Sequence, residues 1–160
     1  MDCQEFFISL KNEDSELLRE LAGLQAEFRL EKLYLIYING TEVIWGVRGR
    51  EGNDSPRLET ELLNFIERHL GLRYNADQRR YLVLREPLDE VNYVLGKELI
   101  PYVQSHGGHL EIIEVNEKTG TVRVDLAGSC RGCPSSIYTM QAGVKKLLIG
   151  ILPWVKKVES

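Results

Sequence analysis

Cysteine is scarce in this chain, with three among 160 residues, and that scarcity excludes a small secreted fold stapled by disulfides. No apolar run approaches the ~20 residues that a membrane-spanning helix needs. The stretch Met1-Asp2-Cys3-Gln4-Glu5-Phe6-Phe7 lacks the positive leader and sustained apolar core of a signal peptide, and Glu13, Asp14 and Glu16 follow where a transit peptide avoids acids. These absences, with the need to keep thiols reduced, lead us to expect a cytoplasmic protein with no membrane association. Positive charge is not in excess either. The formal net charge is −4, with 16 acids and 12 bases in Met1 to Glu86 and 8 of each in Pro87 to Ser160. Neither half carries the basic or aromatic-basic footprint of a nucleic-acid binder, so proteins are the expected partners. What is present is 43% hydrophobic residues, enough to pack one domain or two small ones.

Two of the three cysteines stand together, in Gly128-Ser129-Cys130-Arg131-Gly132-Cys133-Pro134-Ser135-Ser136. Pro134 is a favoured first helical residue, and Ile137, Met140, Val144, Leu147, Leu148 and Ile151 recur behind it at helical spacing. Cys133 therefore falls at or near a helix N-cap. Unsatisfied backbone N–H groups, the positive end of the helix dipole and the charge of Arg131 all favour thiolates there, and the thiolate is the metal ligand. Gly128 and Gly132 remove side chains where backbone must curl round a metal. A thiolate-held zinc or iron–sulfur centre normally takes four protein donors, and Cys3 is remote and single. A second copy of the chain is the expected source of the missing pair. A centre shared between subunits on an exposed loop suits release of the metal group rather than retention.

Along the chain, Leu17, Leu18, Leu21, Leu24 and Phe28 predict a helix over 14–30. Leu33 to Ile38 and Thr41 to Val47 flank Asn39-Gly40, a preferred two-residue hairpin turn. Tyr34, Tyr37 and Trp45 on that hairpin are expected to pack across the strands. Ser55 and Pro56 open a second helix whose stripe is Leu58, Leu62, Phe65, Ile66 and Leu70, with Gly71 closing it and a short strand at Tyr81 to Leu84. Glu86-Pro87 marks a boundary. Beyond it, Leu88, Val91, Val94, Leu95, Leu99 and Tyr102 form the face of one helix, bent near its end by Pro101. Leu110 to Val115 and Thr121 to Leu126 read as antiparallel strands, followed by the cysteine loop, a helix from Ser135 to about Ile149 and a strand near Val155 to Val158. The fold class is α/β in the α+β sense, with two small αββαβ-like domains at 1–86 and 87–160. The first is expected to be metal-free, serving partner recognition or dimerisation, and could be a decayed repeat of the second.

The ordered set Ile100-Pro101-Tyr102-Val103, Gly107-Gly108, a strand pair, Cys130-x-x-Cys133-Pro134-Ser135-Ser136, Met140 and Ala142-Gly143-Val144 resembles the NifU C-terminal (Nfu-type) iron–sulfur scaffold domain over residues 87–160. That resemblance implies a three-stranded mixed sheet with helices packed on it. It further implies a [4Fe-4S] cluster, in preference to [2Fe-2S], bridging two copies of the chain through Cys130 and Cys133. The cluster would come from an upstream assembly scaffold and pass to apo iron–sulfur proteins, with no reaction catalysed.

One departure from the family is conspicuous: His106-Gly107-Gly108-His109 stands where Asp-Gly-Gly-Asp is usual. The histidines are either solvated residues of a helix-to-strand turn, neighbours that tune the cluster, or ligands joining Cys130 and Cys133 in a Cys2His2 zinc site. A CxxC dithiol oxidoreductase is a further alternative. Against it, the motif follows a hairpin and is preceded by Ala127-Gly128-Ser129 rather than by an aromatic residue. His69, near a helix end, is a favourable cation without a ligand partner in the nearby sequence. Trp154 is expected over the core beside the final strand, and Cys3 is a terminal free thiol.

Overall fold

The computed structural model describes residues 5–6, 15–36, 42–49, 56–70, 80–105, 107–128 and 134–159. The chain divides into two compact units, Met1–Glu86 and Pro87–Ser160. The first contains α1 (Glu16–Glu27), β1 (Lys32–Ile36), β2 (Glu42–Arg48), α2 (Pro56–Leu70) and β3 (Arg80–Leu84). The second contains α3 (Pro87–Glu98), α4 (Ile100–Ser105), β4 (Gly108–Asn116), β5 (Thr121–Gly128), α5 (Pro134–Ile151) and β6 (Lys157–Glu159). Each unit holds one three-stranded mixed sheet, ordered β1-β2-β3 and β4-β5-β6. The first two strands of each sheet pair antiparallel, and the third pairs parallel to the middle one. The class is α+β.

In the first unit the Ser15 hydroxyl caps α1 by accepting the Leu17 N–H at 3.1 Å. The helix ends at Glu27, earlier than its apolar stripe suggests. Arg29 turns left-handed (φ 53), and the Arg29 and Leu30 N–H groups donate back to Ala26 and Gln25, which satisfies the terminal carbonyls. α1 contributes Leu17, Leu21 and Leu24 to the core, α2 contributes Leu58, Leu62, Phe65, Ile66 and Leu70, and β2 contributes Val43, Trp45 and Val47. Phe65 sits at the centre, its ring 5.9 Å from that of Phe6 and 6.0 Å from that of Trp45. Tyr34 and Trp45 do not pack together, because the two-residue pleat puts them on opposite faces. Trp45 faces Leu35, while Tyr34 lies across Gly46, where a Cβ would overlap the Tyr34 ring. Tyr37, the turn at Asn39-Gly40, Ser55 and Gly71 lie outside the described residues.

In the second unit the helix expected from Leu88 to Tyr102 is two helices, broken at Leu99. Pro101 has no N–H for the Lys97 carbonyl, and its ring would clash there. Helical hydrogen bonds resume around the break, from the Leu99 N–H to Leu95 and from the Val103 N–H to Leu99. The buried face of α3 is Glu90, Val91, Val94 and Leu95. Leu88 is 48% exposed rather than part of that face, since it lies roughly 90° from its centre at 3.6 residues per turn. Val122 and Val124 of β5, Val144 and Leu148 of α5, and Leu152, Trp154 and Val155 are all buried and form the apolar interior of this unit. β5 alternates as read: Val122 and Val124 are buried, whereas Arg123 and Asp125 are exposed. β4 carries an irregularity at Ile113, the residue skipped where the register passes from Ile112 to Glu114.

Candidate metal centre

Cys130 and Cys133 occupy the connection between Gly128, the last residue of β5, and Pro134, the first of α5. The cysteines, Arg131 and Gly132 lie outside the described residues, as do Cys3 and His106. The flanking elements nonetheless define what the connection joins. α5 begins at the proline directly after Cys133 and has no acidic residue in its first turn, so no carboxylate there offsets the positive end of the helix dipole.

The register of the second sheet adds what the sequence alone could not supply. Gly108 pairs with Gly128, and His109 with Ala127. Cys130 follows Gly128 by two positions and His106 precedes Gly108 by two, so the histidine turn and the cysteine connection leave the same end of the sheet. Gly107, at φ 71, makes the left-handed turn into β4 that a side chain would strain. His109 is exposed on β4. Among the described residues no group of three or more His, Cys, Asp or Glu is placed to hold a metal.

Residues 91–159 match the family model described as "NifU-like domain". The C-terminal part of the chain is a NifU-like domain. The Fe/S biogenesis protein NfuA of Stutzerimonas stutzeri is 31% identical over 115 residues, covering 69% of this chain and 59% of that protein. The Fe/S biogenesis protein NfuA of Ectopseudomonas mendocina is 32% identical over 110 residues, covering 66% and 56%. That of a Shewanella species is 28% identical over 104 residues, covering 62% and 54%. The chain thus spans a little over half the length of these relatives. A match over 69% of this chain is longer than the NifU-like domain itself, so the similarity extends into the first unit.

Two other polar features of the NifU-like unit are well defined. Arg123 donates to Glu159 at 3.3 Å and lies 3.6 Å from Glu114, while Lys157 pairs with Glu159 at 2.8 Å. Hydrogen bonds from Lys157 and then from Arg123 hold the Glu159 carboxyl below its ordinary value. Glu90 is fully buried and accepts the Trp154 indole N–H at 3.2 Å, which ties α3 to the segment before β6. Sequence reading placed Trp154 on the core but missed Glu90. A tryptophan whose N–H must be satisfied inside a core was the available signal. In the first unit His69 meets Glu20 at 2.6 Å and stacks edge-on to Phe65 at 4.8 Å, a structural contact between α1 and α2. Among the described residues, no helix is long and apolar enough to cross a membrane.

Proposed function

We propose that this chain carries an iron–sulfur cluster on Cys130 and Cys133 and hands it to apo-proteins, acting as a carrier and not as an enzyme. The observation that carries the reading is the placement of the CxxC motif between a strand end and the N-terminus of α5, within a NifU-like domain. The cluster is cargo. Two thiolates from each of two copies supply its four sulfur donors, and [4Fe-4S] is preferred over [2Fe-2S] from the family resemblance. Handover is ligand exchange: an acceptor thiol loses its proton and binds iron, and the departing Cys130 or Cys133 thiolate takes up a proton. The helix terminus and Arg131 keep the donor thiolates anionic until that exchange. Acceptors are apo iron–sulfur proteins, the source is an upstream assembly scaffold, and the compartment is the reducing cytoplasm. The first unit, without a CxxC motif, governs which partner is engaged.

A zinc site using Cys130, Cys133, His106 and His109 is the second reading, favoured by the Gly108 to Gly128 pairing that brings both motifs to one sheet end. Iron, sulfide and zinc analysis of anaerobically reconstituted protein separates the two. Cys130→Ala and Cys133→Ala should each lose essentially all bound iron and sulfide while keeping native circular dichroism, and Cys3→Ala should lose none. Zinc bound without sulfide, and lost on His106→Asp with His109→Asp, would establish the second reading instead.

A further inference from the structure

Within the second unit, the side of the sheet opposite buried Val122 and Val124 combines three features. Glu111 of β4 and Asp125 of β5 stand directly opposite each other in the register, both exposed. Neither has an ion-pair or hydrogen-bond partner among the described residues, because Arg123, the nearest cation on β5, is engaged by Glu114 and Glu159. Like charges directly opposite in an antiparallel pair destabilise it, so this rung costs stability that a neutral pair would not. Beside it, Ile113 at the irregularity of β4 is 52% exposed, consistent with the way such bulges re-aim side chains. The rung also lies close to the cysteine connection: Asp125 is three residues before Gly128, about 10 Å along a strand rising ~3.3 Å per residue.

We propose that this face docks the recipient of the cluster, through an electropositive surface with an apolar side chain that seats against Ile113. The inference rests on the carrier reading above and names its partner class. The charge follows from the recipient's chemistry. Cysteines that accept a cluster must ionise, and they do so where Lys or Arg surrounds them. A donor loop flanked by unpaired carboxylates therefore matches the surroundings of the thiolates it has to reach, and steers them toward it. Pairing of β4 with a strand of another chain is a poor alternative, because its charged residues and irregularity are the devices that block edge pairing.

The test uses the full chain and a short fluorescein-labelled peptide of alternating lysine and leucine, with lysine-to-glutamate and leucine-to-serine analogues as controls, read by fluorescence anisotropy. The lysine–leucine peptide should bind saturably, weakening as salt rises, and both analogues should bind far more weakly. Glu111→Gln with Asp125→Asn should weaken it on the order of tenfold while raising the melting temperature, a combination that a purely structural role does not produce. Ile113→Thr should weaken it several-fold. Glu67→Gln with Glu98→Gln, an equal loss of exposed charge elsewhere, should leave it unchanged. Equal binding by wild type and the Glu111/Asp125 variant, or no saturable binding at all, overturns the proposal. A change in sedimentation of the free chain on the Glu111/Asp125 substitution would assign the face to a second copy and overturn it too. Cluster content is measured separately, so a chain that binds the peptide but holds no iron would refute the carrier reading and leave the docking face standing.

Discussion

The two units share a topology and differ in what their middle strand and its following connection do. In both, a helix precedes an antiparallel strand pair, a second helix begins with proline at its first position, and a third strand returns parallel to the middle one. The residue before that proline is Ser55 in the first unit and Cys133 in the second. The connection 49–55 has no cysteine, whereas 129–133 has two. The middle strands diverge as well: β2 is buried at all seven of its positions, whereas β5 keeps Arg123 and Asp125 in solvent. One arrangement of helices and strands therefore serves a unit built around aromatic packing and a unit that carries a CxxC motif. The CxxC motif and the exposed Glu111 and Asp125 occur on the same unit, which is why the fold alone does not decide the role.

Removing the central ring of the first core separates the units most sharply. Phe65→Ala should cost about 3–5 kcal/mol of that unit's stability, because Phe65 is fully buried between Phe6 and Trp45. Calorimetry should show the loss, and iron bound per chain should stay unchanged. If iron falls in parallel, the first unit supports the metal centre and the division of labour is wrong. Gly46→Ala probes the same unit from its other face. The new methyl group meets the Tyr34 ring, and overpacking of this kind costs typically 1–3 kcal/mol, readable as a lower urea midpoint. A Tyr34→Ser, Gly46→Ala double variant should recover part of it.

Ser15→Ala removes the side-chain cap of α1 and should cost about 1 kcal/mol in chemical denaturation. The smallest effect belongs to the second unit. The Glu159 carboxyl is held below its ordinary value of 4.5 by Lys157 and Arg123. A depressed carboxylate stabilises the native state above its unfolded value and loses that contribution as pH falls through the folded one. Glu159→Gln should therefore narrow the stability gap between neutral pH and pH values below 4.5, with the difference shrinking in high salt. An unchanged gap at low ionic strength would show that the Arg123–Glu159–Lys157 group does not form in solution.

Local signals in the sequence were strong where one element's pattern decides the outcome. The stripe Leu58, Leu62, Phe65, Ile66 and Leu70 is buried throughout, and the strands around Asn39-Gly40 pair antiparallel as that turn implies. What was not legible depends on two distant segments at once. Burial of Glu90 needs Trp154, 64 positions away, to supply a donor. The Gly108 to Gly128 pairing, which gathers the histidine turn and the cysteine connection at one end, depends on a register set partly by the irregularity at Ile113. No period-2 pattern announces a residue that the register skips. The proline break at Leu99 was half-visible: Pro101 signalled a disturbance, and the structure makes it a division into two helices.

The parallel pairing of β5 with β6 has a consequence in time. A β-hairpin such as β4–β5 closes within about 1–10 μs, since its partners are neighbours in sequence. The β5–β6 pair must wait until α5 has crossed over the sheet, because parallel strands need a long connection between them. Cys130 and Cys133 lie inside that crossover. While the domain is still forming, its thiols belong to a flexible chain with no helix terminus to ionise them. On the carrier role proposed above, iron arriving early would meet poor ligands, and the capacity to hold cargo would come only with the completed fold.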